Sequence, residues 1–220
     1  MKKIIALVCC LFAGFNSQAQ HLMNTESERV FFGSIEAGLN FSTVNGDLRG
    51  GFNHVGLNIG TKVFTRLHLQ KNFYGSLGLM YTEKGAKTVT TMGSDIGNYL
   101  ETYNINVNYV QLPIGIHYLH QNRYLFTVGA SFNYLVGHNE NLIDPFGESI
   151  FTDNPKLKFQ NTTFDLHLGV GYLFAQHWKV NATYAYGLTP IRLYQNTYGP
   201  PLAQADQYSA LFQFSLTYLF

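Results

Sequence analysis

Ala210-Leu211-Phe212-Gln213-Phe214-Ser215-Leu216-Thr217-Tyr218-Leu219-Phe220 is the stretch from which the fold is read. Every even position from 210 to 220 is apolar or aromatic, while Gln213, Ser215 and Thr217 interrupt the odd positions. A period of two marks a β-strand with one greasy and one wetter face. A greasy strand that stops on an aromatic is what the closing strand of a membrane barrel looks like, and the rest of the chain repeats the pattern.

Period-two reading predicts eight strands, near 31–41, 54–69, 73–83, 99–118, 123–136, 162–174, 178–188 and 208–220. The connectors alternate in length. Short ones lie at Gln70-Lys71-Asn72, around His120-Gln121-Asn122 and at Ala175-Gln176-His177; long ones lie near 42–53, 84–98, 137–161 and 189–207. Short turns at one end and long loops at the other describe an up-and-down outer-membrane barrel, with both termini on the periplasmic side. A soluble sandwich has no reason to alternate its loops this way.

The two faces point in the same direction. One carries Val55, Leu57, Ile59 and Val63, then Phe126, Val128 and Phe132, then Phe164, Leu166, Leu168 and Val170, and no charge. A Lys or Arg facing lipid at mid-depth costs ~2–4 kcal/mol, so an uncharged apolar face is what lipid exposure demands. The other face reads Ser34, Glu36, Gly38, Asn40; Gly56, Asn58, Gly60, Lys62; Thr163, Asp165, His167; and Lys179, Asn181, Thr183. A soluble β fold would turn the apolar face inward.

Composition agrees. Only 12% of residues are charged and 15% are aromatic, against about 25% charged in a typical soluble domain. The formal net charge is +1, so nothing points to nucleic acid. Met1-Lys2-Lys3 followed by the apolar run Ile4–Phe15 and Asn16-Ser17-Gln18-Ala19 reads as a secretory signal over 1–19, cut after Ala19. The run is too short to span ~30 Å of hydrocarbon as a helix. Residues 20–30 form a short periplasmic segment and 31–220 the barrel domain. Both cysteines, Cys9 and Cys10, fall in the signal, so the mature chain has neither disulfides nor thiolate metal sites.

Aromatics gather beside the short turns: Phe73, Tyr118, Tyr124, Phe174, Trp178, Tyr218 and Phe220. Rings with one apolar and one wet end prefer the headgroup layer, which predicts a membrane-interface girdle. Tyr81, Tyr103, Tyr109, Tyr134, Tyr184 and Tyr186 suggest a second girdle toward the long loops. The fourth strand changes phase: Tyr103, Ile105, Val107 and Tyr109 are odd, whereas Leu112, Ile114, Ile116 and Tyr118 are even. A β-bulge near Val110-Gln111 would return both sets to one face.

Two segments carry a family resemblance. Tyr81-Thr82-Glu83-Lys84-Gly85-Ala86 resembles an aromatic–Lys–Gly signature, and Tyr109-Val110-Gln111-Leu112-Pro113-Ile114 resembles a Tyr-Leu-Glu-Ile-Pro segment. Both belong to the small outer-membrane β-barrel proteins of Bacteroidota, the PorT or porin-like family; Gln111 stands where an acidic residue is usual. The terminal Phe220 is similar to the assembly signal of outer-membrane barrels. The resemblance implies a barrel over the whole mature chain but no single activity; the family's namesake assists protein secretion.

No phosphate loop, Gly-x-Ser-x-Gly or paired-cysteine motif is present, so no cofactor is expected. His117 and His120 are three apart on a strand and face opposite ways, which removes them as a metal pair. Ser131, His167 and Asp165 all point inward, but a lipid-hydrolysing site also needs an open path to lipid, so a packed lumen is the expected reading. An eight-stranded barrel is only wide enough to be filled by its own side chains. The inward charges Glu36, Lys62, Arg66, Arg123, Asp165, His167 and Lys179 therefore predict a paired polar lumen network, with Glu36 against Lys62. Loop residues Glu140, Asp144, Glu148, Arg192, Tyr194 and Tyr198 are where a protein or glycan would be met. The expected function is a non-enzymatic, monomeric envelope barrel. It would contact outer-membrane lipid, the barrel-assembly machinery through the last strand, and an envelope protein or glycan through the loops. A narrow porin-like channel and a lipid-modifying enzyme are the alternatives.

Overall fold

The computed structural model describes residues 31–47, 51–67, 72–94, 97–143, 158–174, 176–193 and 203–220. Eight antiparallel strands close in sequence order: β1 (Phe31–Asp47), β2 (His54–Arg66), β3 (Phe73–Ser94), β4 (Gly97–His120), β5 (Tyr124–Ile143), β6 (Thr162–Leu173), β7 (Trp178–Gly187) and β8 (Ala203–Leu219). The ring shuts where β1 meets β8, with Leu39 opposite Phe214. Gly33 of β1 and Phe220, one residue past β8, exchange backbone hydrogen bonds at 3.1 and 3.0 Å. The β4–β5 connection is a tight turn in which Arg123 N donates to His120 O, and Gln121 and Asn122 take φ of 48° and 57°. Two positive φ angles form the primed turn that matches strand twist.

Around the ring the apolar face points out. Leu57, Ile59, Ile114, Phe126, Val128, Phe164, Leu168, Val170 and Phe214 are all exposed, Leu168 at 61%. Asn58, Asn133, Thr163, Asp165, Lys179 and Thr217 are buried inside. Hydrocarbon, not water, is the medium that makes such a surface favourable.

The long-loop ends of five strands are corrected. Residues 84–98 are not a loop: β3 and β4 remain paired up to Ser94 opposite Gly97. β1, β5 and β8 likewise run beyond their expected long-loop ends. The reason is a reversal of polarity along the strands. On this upper part Tyr103, Ile105, Val107 and Tyr109 are buried inward, none above 1% exposed, while Asn104, Asn106 and Asn108 alternate with them on the outer face. Above the hydrocarbon the sheet meets water and takes the polar-out arrangement of a soluble protein. A search for apolar residues on the outer face does not detect it. For the same reason Tyr103 and Tyr109 belong to no outer girdle.

The phase change is resolved without a bulge in β4, whose odd residues face inward from Tyr103 to Leu119. The irregularity lies on β5. Asn108 pairs with Gly137 but Tyr109 with Leu135, so Val136 is an extra residue. Below it the odd residues of β5, such as Ser131 and Asn133, face inward. Above it the even ones do, among them Glu140. One inserted residue exchanges the faces of everything that follows.

Two apolar layers cross the interior. The lower, toward the short turns, packs Phe64, Tyr74, Leu119, Leu125, Leu173 and Leu219, with Phe32 stacked on Phe64 at 5.0 Å. The upper packs Val44, Ala86, Tyr103, Ile105, Val107, Tyr109, Phe159 and Ile191.

Candidate functional site

Between the apolar layers lies a polar lumen built from the inward positions of the strands. Lys62 Nζ of β2 sits 2.9 Å from Glu36 Oε2 of β1. Glu36 also accepts from Ser215 Oγ at 2.8 Å and Thr217 Oγ1 at 3.3 Å on β8. Strand pairing sets Glu36 opposite Thr217 and Ser34 opposite Lys62. Burying a carboxylate is tolerable only with this number of donors. Asn181 Nδ2 of β7 donates to Thr217 Oγ1 at 2.8 Å and extends the network around the ring.

Higher in the lumen Lys84 on β3 crosses the interior to Asp165 on β6, and both side chains are fully buried. The Lys84 ammonium also lies over the Tyr109 ring at 5.1 Å. Beside this pair runs a chain of neutral bonds across four strands. Thr82 Oγ1 donates to Gln111 Oε1 at 2.7 Å, Gln111 Nε2 to Asn133 Oδ1 at 2.7 Å, and Asn133 Nδ2 to Thr163 Oγ1 at 3.1 Å. The amide at Gln111 both accepts and donates in this chain, which a carboxylate could not do.

Lys84 was missed from sequence because it fell in a presumed loop. Its even parity with Thr82 and Met80 was the signal available. The expected grouping of Asp165 with His167 and Ser131 is corrected accordingly: Asp165 bonds Lys84, not His167. The His167 ring lies over Gly129, where a Cβ would come within 2.5 Å of Nε2. His117 is held instead between Ser76 Oγ at 2.7 Å and Thr127 Oγ1 at 2.8 Å. A Ser–His contact with a threonine in third place has no carboxylate to orient or stabilise an imidazolium. Among the described residues no group of three or more His, Cys, Asp or Glu could hold a metal ion.

Arg66 is exposed at the end of β2 and Arg123 half-buried beside the β4–β5 turn. Both lie at the short-turn ends of their strands, past the lower apolar layer rather than in the lumen between the layers. Lys179 is 2% exposed and lies over the Phe64 ring at 5.2 Å.

Glu140 and Arg192, expected on surface loops, are turned inward at the upper mouth. Arg192 Nη1 and Nη2 meet Glu140 Oε1 and Oε2 at 2.9 and 2.5 Å, and Tyr103 donates its hydroxyl to the same carboxylate. The guanidinium stacks 4.0 Å from the Phe159 ring. Backbone bonds from Gln160 N to Ile191 O and from Gln207 N to Arg192 O tie this cap to β8. Burial, then the Glu140 carboxylate, pushes the Tyr103 hydroxyl pKa upward. Asp144, Glu148, Tyr194 and Tyr198 lie outside the described residues.

At the short-turn end Phe73 packs on Tyr118 at 5.1 Å, Tyr124 on Tyr172 at 5.4 Å and Trp178 on Tyr218 at 5.0 Å. Phe220 is 54% exposed, and Phe174 is half-buried. These rings sit at one end of the apolar band.

Among solved structures the chain is similar to Ail, the attachment invasion locus protein of Yersinia pestis. Identity is 15% over 87% of this chain and 100% of that chain, with a TM-score of 0.45. It is also similar to Neisserial surface protein A, at 14% identity over 89% of this chain and 100% of that chain, TM-score 0.45. No curated protein matches the sequence. The family described as outer membrane protein beta-barrel domain matches residues 14–192. That span covers most of the sequence, and an eight-stranded ring with its apolar face outward is what such a domain presents to outer-membrane lipid. The chain belongs to the outer membrane protein beta-barrel domain family.

Proposed function

We propose that this chain is a non-enzymatic envelope protein that acts through what it displays on its long-loop side, with the barrel as a lipid-embedded support. The observation that carries this reading is the filled interior. Two apolar layers cross the interior with a buried ion pair between them, which argues against a porin-like channel. The Ser76–His117 contact lies in that closed interior without a carboxylate, which argues against lipid modification. Among the described residues, the surface left for contact with other molecules is the outer face of the upper sheet formed by β3, β4 and β5, with exposed Lys87 and Asn139. An envelope protein or glycan is the partner class for such a surface. The finer resemblance to PorT-family proteins supports an accessory role in secretion. Export by the segment 1–19 and insertion by the barrel-assembly machinery through β8 belong to the same proposal.

Conductance of the purified protein in planar bilayers is the direct test, with no unitary current steps expected. Photo-crosslinkers at Lys87 and Asn139 in native membranes should give a discrete adduct that is absent when the crosslinker stands at lipid-facing Leu168. Regular current steps from the wild-type barrel would overturn the reading in favour of a channel.

A further inference from the structure

Rows of outward side chains run around the barrel across its strands. Phe73, Tyr118, Phe126, Val170 and Ala182 are successive ladder partners from β3 to β7. Ile116, Val128, Leu168, Tyr184 and Phe212 form the next row, from β4 to β8. These two rows line a groove of about 570 Å³ on the outer wall, and none of its lining residues is charged. Ala182 opens the groove. Its methyl group stands between Val170 and Phe214 in the ladder, two residues before the larger ring of Tyr184 on the same face.

The groove is oblique to the membrane. Phe73 opens β3 at the short-turn end, Ala182 is four residues past the start of β7 at Trp178, and Phe212 stands seven residues before the end of β8 at Leu219. The five interstrand steps from β3 to β8, each ~4.8 Å and tilted by ~40°, climb roughly 15 Å, half of the ~30 Å hydrocarbon core. One end therefore lies at headgroup level and the other near the bilayer midplane. At the lower end the Phe73 and Tyr118 rings pack at 5.1 Å, with polar Asn72 and His120 exposed beside them. At the upper end the Tyr184 and Phe212 rings pack at 4.8 Å and form an apolar stop.

The groove is continuous with the apolar band that meets lipid, so the molecules that reach it are lipid chains. Lipid tails are as apolar as its walls, and burial alone favours no lipid over another. Shape does. A chain in the groove touches a floor and two flanks, whereas on the convex wall elsewhere it touches one side. We propose that the groove holds one acyl chain of a phospholipid from the leaflet at the short-turn side. The headgroup lies beside Asn72 and His120, and the chain ends against Tyr184 and Phe212. A second barrel is convex and would bridge the groove rather than fill it.

The full chain, reconstituted in vesicles of phosphatidylethanolamine and phosphatidylglycerol and transferred to mild detergent, tests this by native mass spectrometry. Wild-type barrel should retain one phospholipid. Ala182→Leu fills the groove with a side chain that lipid still tolerates, and should cut retention about tenfold, the effect of losing on the order of ten close carbon contacts. Ala37→Leu, at an exposed alanine on β1 that does not line the groove, should leave retention unchanged. Phosphatidylethanolamine with a diazirine at the chain end should label Tyr184 and Phe212, and a diazirine near the glycerol should label Phe73 and Tyr118. A wild-type barrel free of lipid, equal retention in Ala182→Leu, labelling spread evenly around the barrel or in the reverse order, or a second copy of the chain retained in place of lipid would each overturn the site. The wild-type count and the labelling remain decisive even if a variant does not fold.

Discussion

Lys84 and Asp165 are joined across the full width of the barrel, from β3 to β6, with side-chain exposures of 0% and 1%. They are not neighbours on paired strands: β3 pairs with β2 and β4, and β6 with β5 and β7. The bond is thus a tie through the interior, independent of the backbone ladder.

Breaking that tie from one side leaves a charge buried without its partner. Lys84→Met and Asp165→Asn should each lower unfolding free energy in detergent by about 3–5 kcal/mol. The double variant should recover most of the loss, because neither charge then remains. Urea titrations of the three variants measure the coupling, and simple additivity would contradict a direct pair.

The bulge at Val136 sets which way Glu140 faces. Deleting Val136 removes the extra residue and leaves Glu140 four positions after Leu135, still inward beside Arg192 on an unbulged strand. In the wild-type chain Arg192→Ala should cost about 3 kcal/mol, since it strands a buried carboxylate. In the Val136 deletion the same substitution should cost about as much. A double-mutant cycle read by urea unfolding checks this, and loss of the Arg192→Ala cost in the deletion would mean that Glu140 had turned outward and that Val136 is not the extra residue.

The reversal of polarity locates the edge of the hydrocarbon. Leu168→Arg places a charge on the lipid face and should cost about 2–4 kcal/mol, whereas Asn106→Arg on the upper sheet should cost 1 kcal/mol or less. Equilibrium folding into lipid vesicles separates the two. Equal penalties would place Asn106 in the bilayer.

Tyr103 gives a pH dependence with a definite sign. Burial and the Glu140 carboxylate raise its folded pKa above the ordinary value of 10.0. The folded state therefore holds this proton more tightly than the unfolded chain does. The associated stability is complete below the unfolded pKa and declines as pH rises above it. Wild-type protein should lose stability in this alkaline range faster than Tyr103→Phe. Urea midpoints taken across that range provide the comparison, and parallel curves would remove Glu140 as the partner.

Much of the membrane part was legible from periodicity. Leu57, Phe126, Leu168 and Phe214 face out because lipid rewards apolar surface, and their alternation with Asn58, Asp165 and Ser215 is a property of adjacent residues in the sequence. Glu36 and Lys62 could also be set at similar depth, because β1 and β2 are joined in sequence and pair directly. The upper sheet was hidden because water, not lipid, surrounds it there, so the pattern inverts and resembles loop sequence.

The sequence alone determined which face of each strand is greasy, that the connectors alternate, and hence that a ring of strands stands in a membrane. Those properties are local, carried by side-chain chemistry repeating every two residues. Only the tertiary structure decided that Lys84 meets Asp165, that Val136 turns Glu140 toward Arg192, and that Lys179 lies over the Phe64 ring. Each depends on which strands the closed ring brings face to face across the lumen, a distance in space that no spacing along the chain encodes.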